Sequence, residues 1–399
     1  MWEKNWRLFR ATDFQSLMNP NLTFNRILGI FPYRLRASTF ELSKPLYILW
    51  TIIFCAVVFY EVAILYIFNF SDKIKLDMFT NISSNLTRIY VIFETIVWYI
   101  LNGPRMRLLQ NILDVSSKLP QQSYHKLSKI IHAKDIFGFF LILFFILNIQ
   151  IKDFLAFNSI FEVIRMYPPI VTFQMDMLYI NCVCVLKACF KEINDNLENL
   201  QELVINNISE WISYNQRQPL WIIKLKGLKK QHMVISNTMQ MLNLVFSLQL
   251  LATLAMCAKQ IIFYVYSEAI RWQNGLSFNW DILFDFNFPL FIVFYGIRIT
   301  FIIWACESGK NQAMEISTTI HDMINNTNDK QMKSELKLFS LQITHCKNAF
   351  SAKGLIVDAK LFTEMINNII TYLLILIQFL IISHSCDGKK NVTKYTQLY

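Results

Sequence analysis

Glycine, proline and charge are all scarce in this chain. Glycine and proline number nine each in 399 residues, and only 17% of the residues are charged. So few chain-breaking residues exclude a collagen-like or turn-rich β protein and favour long, unbroken helices. The alternating ten-residue strands of outer-membrane barrels are not visible either.

Residue groupings that carry enzyme chemistry are also missing. The six histidines lie outside the apolar runs, with no His-x-x-x-His pair, no acid–base cluster and no glycine-rich phosphate loop. The eight cysteines lie mostly in or next to apolar runs, and Cys182-x-Cys184 lacks zinc-site spacing, so we expect no disulfide, metal or cofactor. The first seven residues contain no apolar stretch, so we expect no cleavable signal peptide.

Apolar sequence is what the chain has in abundance. Hydrophobic residues make up 54% of it, and mean hydropathy is +0.35, which is typical of a membrane protein. Seven runs are long enough, as helices, to cross a hydrocarbon core about 30 Å thick. The predicted spans are 45–69, 80–102, 135–151, 167–190, 239–266, 282–306 and 361–383.

Lysine and arginine set the predicted orientation. The N-terminal segment and the second, fourth and sixth loops hold 27 of these residues, counting Lys187 with its loop, whereas the opposite side holds 8 and the spans hold 3. Because the richer side faces the cytoplasm, we expect a cytoplasmic N-terminus and an extracellular C-terminus. The net charge of +10 then reflects basic inner loops and indicates no nucleic-acid partner.

Glycosylation sequons agree with this orientation. The predicted outer side carries four of them, at Asn69, Asn81, Asn85 and Asn391. Others fall on the inner side, where we expect them to be unused.

The predicted fold class is an all-α membrane protein with seven transmembrane helices and helical cytoplasmic extensions that form an anchor domain. The long inner segments contain leucine and isoleucine at helical spacing, which predicts amphipathic helices. The expected organisation is a cytoplasmic N-terminal segment (1–44), helices 1–4 (45–190), a cytoplasmic extension (191–238), helices 5–6 (239–306), an anchor segment (307–360), a pore-lining helix 7 (361–383) and an extracellular tail (384–399).

The last span holds the most informative motif. Thr371-Tyr372 is followed by five aliphatic residues and then by Gln378-Phe379. At 3.6 residues per turn, Thr371 and Gln378 share one stripe, with Tyr372 and Phe379 beside it. An unpaired amide in hydrocarbon costs roughly 2–7 kcal/mol, so a membrane helix retains one for a partner or a water-filled path. This edge is typical of a pore or bundle interior.

The motif, in this topology, resembles the insect gustatory receptor family. Thr371, Tyr372, Gln378 and Phe379 match that family's signature at its four fixed positions. The segment 350–355 is similar to the one that precedes the last membrane helix of family members, and 14–17 and 28–32 are similar to the start of many members. The resemblance extends from about residue 14 to 379.

The resemblance implies a ligand-gated, non-selective cation channel in the plasma membrane of a sensory neuron, at its dendrite or axon. Four subunits, as a homotetramer or a heterotetramer with related receptors, surround a pore lined by the last helix, and a small-molecule tastant opens it to cations. By matching position, Gln378 and Phe379 form the gate, with Thr371, Tyr372 and Ile375 along the same helix. Four aliphatic helices at one axis predict a dry constriction that ions cross poorly. Neither the tastant nor its modality is indicated.

For the ligand pocket, polar and aromatic residues in the outer halves of the spans are the candidates, because a small ligand needs flat apolar surface and a few hydrogen-bonding groups. These are Arg88, Tyr90, Asn148, Gln150, Gln174, Tyr264, Trp280 and Asp285, with Tyr167, Gln260 and Asn287 as further candidates. Membrane belts of tyrosine and tryptophan are an alternative interpretation.

Charges inside the spans allow two interpretations. Glu94 and Arg298 lie at similar depths and could form an ion pair, or each could reach water separately. Glu61 and Asp176 have no partner that the sequence identifies.

Two other functions have seven or more spans. A receptor coupled to G proteins needs its N-terminus outside, against the charge count. A transporter is expected to show inverted repeats or broken helices, and neither is visible.

Overall fold

The computed structural model describes residues 8–36, 39–70, 78–153, 159–207, 211–273, 287–346 and 348–396. Ten helices and two short hairpins make up this part of the chain. The helices are α1 (Phe14–Ile27), α2 (Lys44–Phe70), α3 (Met78–Ile100), α4 (Asn102–Ser116), α5 (Gln121–Asp153), α6 (Ser159–Asn207), α7 (Trp211–Gln273), α8 (Asn287–Asn326), α9 (Lys330–His345) and α10 (Ala359–Thr396). The strands are β1 (Tyr33–Arg36), β2 (Thr39–Leu42), β3 (Ser351–Ala352) and β4 (Leu355–Ile356), paired antiparallel as β1–β2 and β3–β4.

Six of the helices in the described ranges are long and apolar enough to cross a membrane, namely α2, α5, α6, α7, α8 and α10. The predicted span 80–102 corresponds to α3, which is long enough at 23 residues but carries Ser83, Thr87, Arg88 and Glu94. Helix α3 packs along α2 and α7, so its polar side chains have protein partners. Its role as a seventh span remains a prediction.

The predicted helical extensions are continuous with the spans. Helices α6, α7 and α8 contain 49, 63 and 40 residues. At 1.5 Å per residue, α7 is about 95 Å long, roughly three times a hydrocarbon core. These helices therefore project far beyond a bilayer.

Helix α6 is the centre of the bundle. Every residue from Val171 to Leu186 is buried, and α6 packs against α5, α7 and α8. This stretch includes Asp176 and Asn181, polar side chains that need protein partners in such an interior.

The projecting ends of α7 and α8 pack with α9. Asp329 caps α9, since its carboxylate accepts from the backbone N–H groups of Gln331 and Met332. Leu336 and Phe339 are buried, as the predicted amphipathic pattern requires. Residues 327–329 connect the end of α8 to the start of α9.

The N-terminal segment is held against α5 and α6. Asp13 and Ser16 form a capping box at the start of α1. The backbone N–H of Phe9 donates to Nδ1 of His132 (3.0 Å), so Nε2 carries the ring proton and donates to the Leu17 carbonyl (3.0 Å). The Tyr167 hydroxyl donates to the Leu28 carbonyl (2.8 Å). Tyr167 therefore anchors the N-terminal segment, which the sequence did not reveal.

Candidate functional site

The first turn of α10 is fixed to α8. The Asp358 carboxylate accepts from the backbone N–H of Leu361 (3.1 Å) and from the Lys310 ammonium (3.0 Å). Glu307 accepts from the backbone N–H of Ala359 (3.2 Å). Partial burial acts to raise the pKa of Asp358, but the Leu361 N–H and Lys310 outweigh it and hold this pKa below its ordinary value.

Beyond that turn, α10 has almost no cover from its own chain. No residue from Phe362 to Ile382 is buried, although this stretch is among the most apolar in the protein. Both helices are largely apolar, but α6 is covered by protein on all sides and this part of α10 is not. An apolar helix of this kind is completed by lipid or by other copies of the chain.

The five residues of the predicted gate lie together on α10. Thr371, Ile375 and Gln378 follow one another along one stripe, with Tyr372 and Phe379 beside it. Tyr372 is 60% exposed and Phe379 67% exposed. The Thr371 hydroxyl donates to the Asn367 carbonyl of the preceding turn (2.8 Å), whereas the Gln378 amide forms no hydrogen bond to the described residues of its own chain. A hydrogen bond within the described part of the chain is therefore not the reason why this apolar helix contains an amide.

An aromatic cluster lies where α5, α7 and α8 meet, near the end of the bundle that the charge count predicts to be extracellular, here called the outer end. Tyr264 stacks on Phe291 with ring centroids 4.1 Å apart. Phe145 stacks on Phe294 at 4.0 Å, and Tyr295 joins both pairs. Among the predicted ligand residues, Tyr264 thus lies in a cluster of flat apolar faces.

Arg88 is paired across α2 and α3. Its guanidinium donates to the Glu61 carboxylate at 2.9 Å, and Glu61 is almost completely buried. The sequence identified no partner for Glu61, because packing of α2 on α3 brings together residues 27 positions apart.

A second ion pair joins α6 to α8. The Arg298 guanidinium donates to Asp176 at 2.5 Å, and both side chains are nearly inaccessible. Of the two interpretations of Glu94 and Arg298, the ion pair was wrong, because Arg298 pairs with Asp176, for which the sequence identified no partner. Glu94 instead accepts from the indole N–H of Trp98 (2.9 Å).

Asp176, Arg298 and Glu94 belong to a buried polar network, here called the inner network, and its remaining groups come from α4 and α7. The Arg105 guanidinium donates to the side-chain carbonyl of Gln249 (2.8 Å). The Thr253 hydroxyl donates to Asp176 (3.5 Å). Five helices therefore meet at one buried polar layer. In the sequence, the only sign of this polar layer is the presence of charged residues inside apolar runs.

The other predicted ligand residues do not form one pocket. Gln174 is buried in α6, and Tyr90 lies close to Glu94 and Arg298, in the inner network. Gln260 is buried beside Lys259. Trp280 and Asp285 lie outside the described residues, as do the side chains of Asn148, Gln150 and Asn287.

Three of the sequon asparagines touch one another. The amides of Asn69 and Asn85 donate to each other's carbonyl oxygens (3.1 and 2.9 Å), and Asn85 also donates to Asn81 (3.3 Å). Asn69 is exposed, whereas Asn81 and Asn85 are half-buried, and the use of all three as glycan acceptors stays a prediction. The Asn391 side chain is outside the described residues.

Sequence reasoning missed Lys259 of α7. Its ammonium donates to the Ser83 carbonyl (3.0 Å) and to the Thr87 hydroxyl (2.9 Å) of α3, and lies 5.4 Å from the centroid of the Phe263 ring. The signal was available, since Lys259 is a lysine within a predicted span.

These features define a class. The molecule is a multi-pass helical membrane protein with long projecting helices, an uncovered last helix and an aromatic cluster within the bundle. The family model described as "7tm Chemosensory receptor" matches residues 18–382, and the chain belongs to this family. It is a family of receptors and not of enzymes.

Two curated relatives are gustatory receptors of Drosophila melanogaster. The chain is 26% identical over 178 residues to "Putative gustatory receptor 28b" and 28% identical over 173 residues to "Putative gustatory receptor 28a". These alignments cover 41% and 42% of this chain, and span 38% of the length of each relative.

Solved structures of an insect olfactory receptor share the fold over nearly the whole chain. The olfactory receptor OR5 of Machilis hrabei superposes with a TM-score of 0.69 at 11% identity, covering 92% of this chain and 98% of that one. Its complex with eugenol gives a TM-score of 0.64 at 12% identity, with the same coverage. The resemblance drawn from the α10 motif is thereby confirmed at the level of the family.

Proposed function

We propose that this protein is a gustatory receptor subunit of a ligand-gated, non-selective cation channel in sensory-neuron plasma membranes, opened by a small-molecule tastant. The single observation that carries the proposal is the uncovered α10, whose most apolar part contains no buried residue. A helix with a polar edge and no cover from its own chain suits a pore that several copies complete.

The gate of this channel is formed by Gln378 and Phe379. The two residues are about 100° apart on the helix surface. A ring of Phe379 side chains closes the path to ions, because a narrow apolar constriction excludes water. A small rotation of α10 brings more of Gln378 toward the axis and offers ions a polar surface.

The base of α10 and the projecting ends of α7 and α8 support an assembly of four subunits with the N-terminus in the cytoplasm. A groove of about 1090 Å³ lies beside this base, lined by residues of α7, α8 and the β3–β4 hairpin, including Asn243, Met314 and Ile356. Such a groove gives neighbouring subunits a surface on which to pack away from the pore.

The aromatic cluster around Tyr264 is the proposed tastant pocket. Tyr264 and Phe291 are stacked and Phe145 meets Phe291 edge-on, and together these rings supply the flat apolar surface that small organic ligands need. The complex of the structurally similar OR5 with eugenol supports a small-molecule ligand for this fold.

The test is current recording from cells that express this chain, alone and with a related subunit, across tastant classes. We expect an evoked cation current, and a Gln378→Ala channel with altered conductance or gating. Gln122→Ala removes an exposed amide from α5 and serves as the control. Absence of current from every compound in both expression conditions contradicts the proposal, and unchanged permeation and gating in Gln378→Ala contradicts the gate.

A further inference from the structure

We propose that the outer end of the bundle binds a small aromatic carboxylate, and that Lys259 recognises its carboxylate group. The inference deepens the proposed function and rests on it, since it names the chemical class of the ligand. The site is the α3–α7 seam, defined by Lys259, Phe79, Thr87, Phe263 and Tyr266.

The seam is built by two helix faces that point at each other. On α3, Phe79, Ser83 and Thr87 are four residues apart and share one face. On α7, Lys259, Phe263 and Tyr266 share another. Lys259 contacts Ser83 and Thr87, and one turn further out the Phe79 ring stacks on Phe263 (5.3 Å, 12° between planes) and meets Tyr266 edge-on (4.5 Å).

The charge of Lys259 is not compensated within the described residues. All three acceptors of its ammonium are neutral: the Ser83 carbonyl, the Thr87 hydroxyl and the Gln260 side-chain carbonyl. Glu61, the buried carboxylate of neighbouring α2, is already paired with Arg88. In the described structure, Glu61 is therefore not available to balance the charge of Lys259. A partly buried cation without a counter-charge is costly in an apolar setting, which makes an anionic ligand a favourable partner.

One of the three hydrogen bonds of the Lys259 ammonium can be replaced by a bond to a ligand. The contact to Gln260 is long, at 3.4 Å, whereas those to Thr87 and Ser83 are 2.9 and 3.0 Å. A carboxylate that replaces the Gln260 contact gains a charge-assisted hydrogen bond, which is shorter and stronger than a neutral one. The other two bonds keep the lysine in place.

The aromatic side chains select the rest of the ligand. Phe79, Phe263 and Tyr266 are all partly exposed, so the seam opens to the surface of the bundle. The ammonium lies 5.4 Å from the Phe263 centroid, so one small ligand can contact both the cation and the aromatic surface. A ligand ring can therefore stack on these faces while its carboxylate reaches Lys259.

The test uses three carboxylates (benzoate, phenylacetate and cinnamate), each with its amide, which keeps the shape and removes the charge. Binding to the full chain in lipid nanodiscs is measured by calorimetry, and currents are recorded with the same six compounds. We expect at least one carboxylate to bind ten-fold or more tightly than its amide. Lys259→Gln removes this preference, Lys259→Arg retains most of it, and Lys337→Gln, at an exposed lysine of α9, leaves it unchanged.

The outcomes separate the two proposals. If no carboxylate binds more tightly than its amide, or if Lys259→Gln preserves the preference, the inference is overturned even when neutral compounds open the channel. If the carboxylate preference depends on Lys259 but none of the six compounds evokes a current, the binding site stands, and the screen across tastant classes decides the channel proposal separately. If Lys259→Gln does not fold, the affinities of the wild-type chain for each carboxylate and its amide still decide whether the carboxylate preference exists.

Discussion

Buried charge is the main vulnerability at the scale of single residues. Asp176 and Arg298 are both nearly inaccessible, and each is the other's ion-pair partner. Removing one member of such a pair leaves an unpaired charge in an apolar interior.

Asp176→Asn should destabilise the protein by about 3–5 kcal/mol, the range found when one half of a buried pair is lost. Asp176→Asn combined with Arg298→Gln should recover part of that loss, because no isolated charge remains. Thermal unfolding in detergent and surface expression measure both effects. Glu364→Gln is the control, since its pair with Lys360 is exposed and worth only about 0–1 kcal/mol. A double variant that is no more stable than the single one contradicts the pairing.

Gly309 and Gly296 offer a matched comparison within α8. A Cβ at Gly309 would meet the Phe350 ring at 2.6 Å, whereas at Gly296 it meets nothing within 4 Å. Gly309→Ala should therefore cost about 1–3 kcal/mol through overpacking. Gly296→Ala should be neutral or stabilising by up to about 1 kcal/mol, because alanine is the better helix former. Equal melting temperatures for the two variants would show that Phe350 does not pack against Gly309.

At the scale of elements, the junction between α8 and α10 controls how firmly the last helix is held. Asp358→Ala loses both the bond to the Leu361 N–H and the pair with Lys310, so the first turn of α10 should open about 1 kcal/mol more easily. Asp358→Asn keeps the cap and loses only the pair. Hydrogen exchange over 359–363 should rise in the order wild type, Asn, Ala, and Asp322→Asn, at an exposed site in α8, should leave it unchanged.

The pH dependence of this junction has a definite sign. The folded-state pKa of Asp358 lies below its ordinary value, so its contribution is present at neutral pH and is lost as pH falls through that folded-state pKa. Protection factors over 359–363, which compare exchange with the intrinsic rate at the same pH, should therefore fall in acid in the wild type and change less in Asp358→Ala.

Helices were easier to predict than the contacts between them. Apolar runs of 17 residues or more gave the spans, and spacing gave α9, because both signals are local in sequence. The pairs Glu61–Arg88 and Asp176–Arg298 lie 27 and 122 residues apart, so only packing decides which charges meet. The position of Tyr167 depends likewise on where the N-terminal segment folds back. The α10 motif could be recognised from the sequence because its polar residues interrupt an otherwise apolar helix.

At the scale of the whole molecule, the uncovered α10 predicts contact between copies. In a background with Cys55→Ser, which removes the exposed thiol among the described residues, and Cys386→Ser, which removes the other cysteine of α10, Gln378→Cys should form cross-linked dimers under mild oxidation. Leu373→Cys lies on the opposite side of the same helix and should cross-link far less. Non-reducing electrophoresis of protein in native membranes distinguishes the two. Equal cross-linking at both positions would mean that α10 does not present one face to a common axis.

The unbroken length of α7 has a mechanical consequence. One continuous helix of 63 residues carries Lys259 and Tyr264 near one end and Asn243, beside the hairpin that precedes α10, further along. Such a rod transmits displacement without a hinge. A tilt of about 5° at one end of a rod about 95 Å long moves the other end by roughly 8 Å. Ångström-scale adjustments around a bound molecule can thus become movements large enough to shift a neighbouring subunit, with α7 acting as the lever arm.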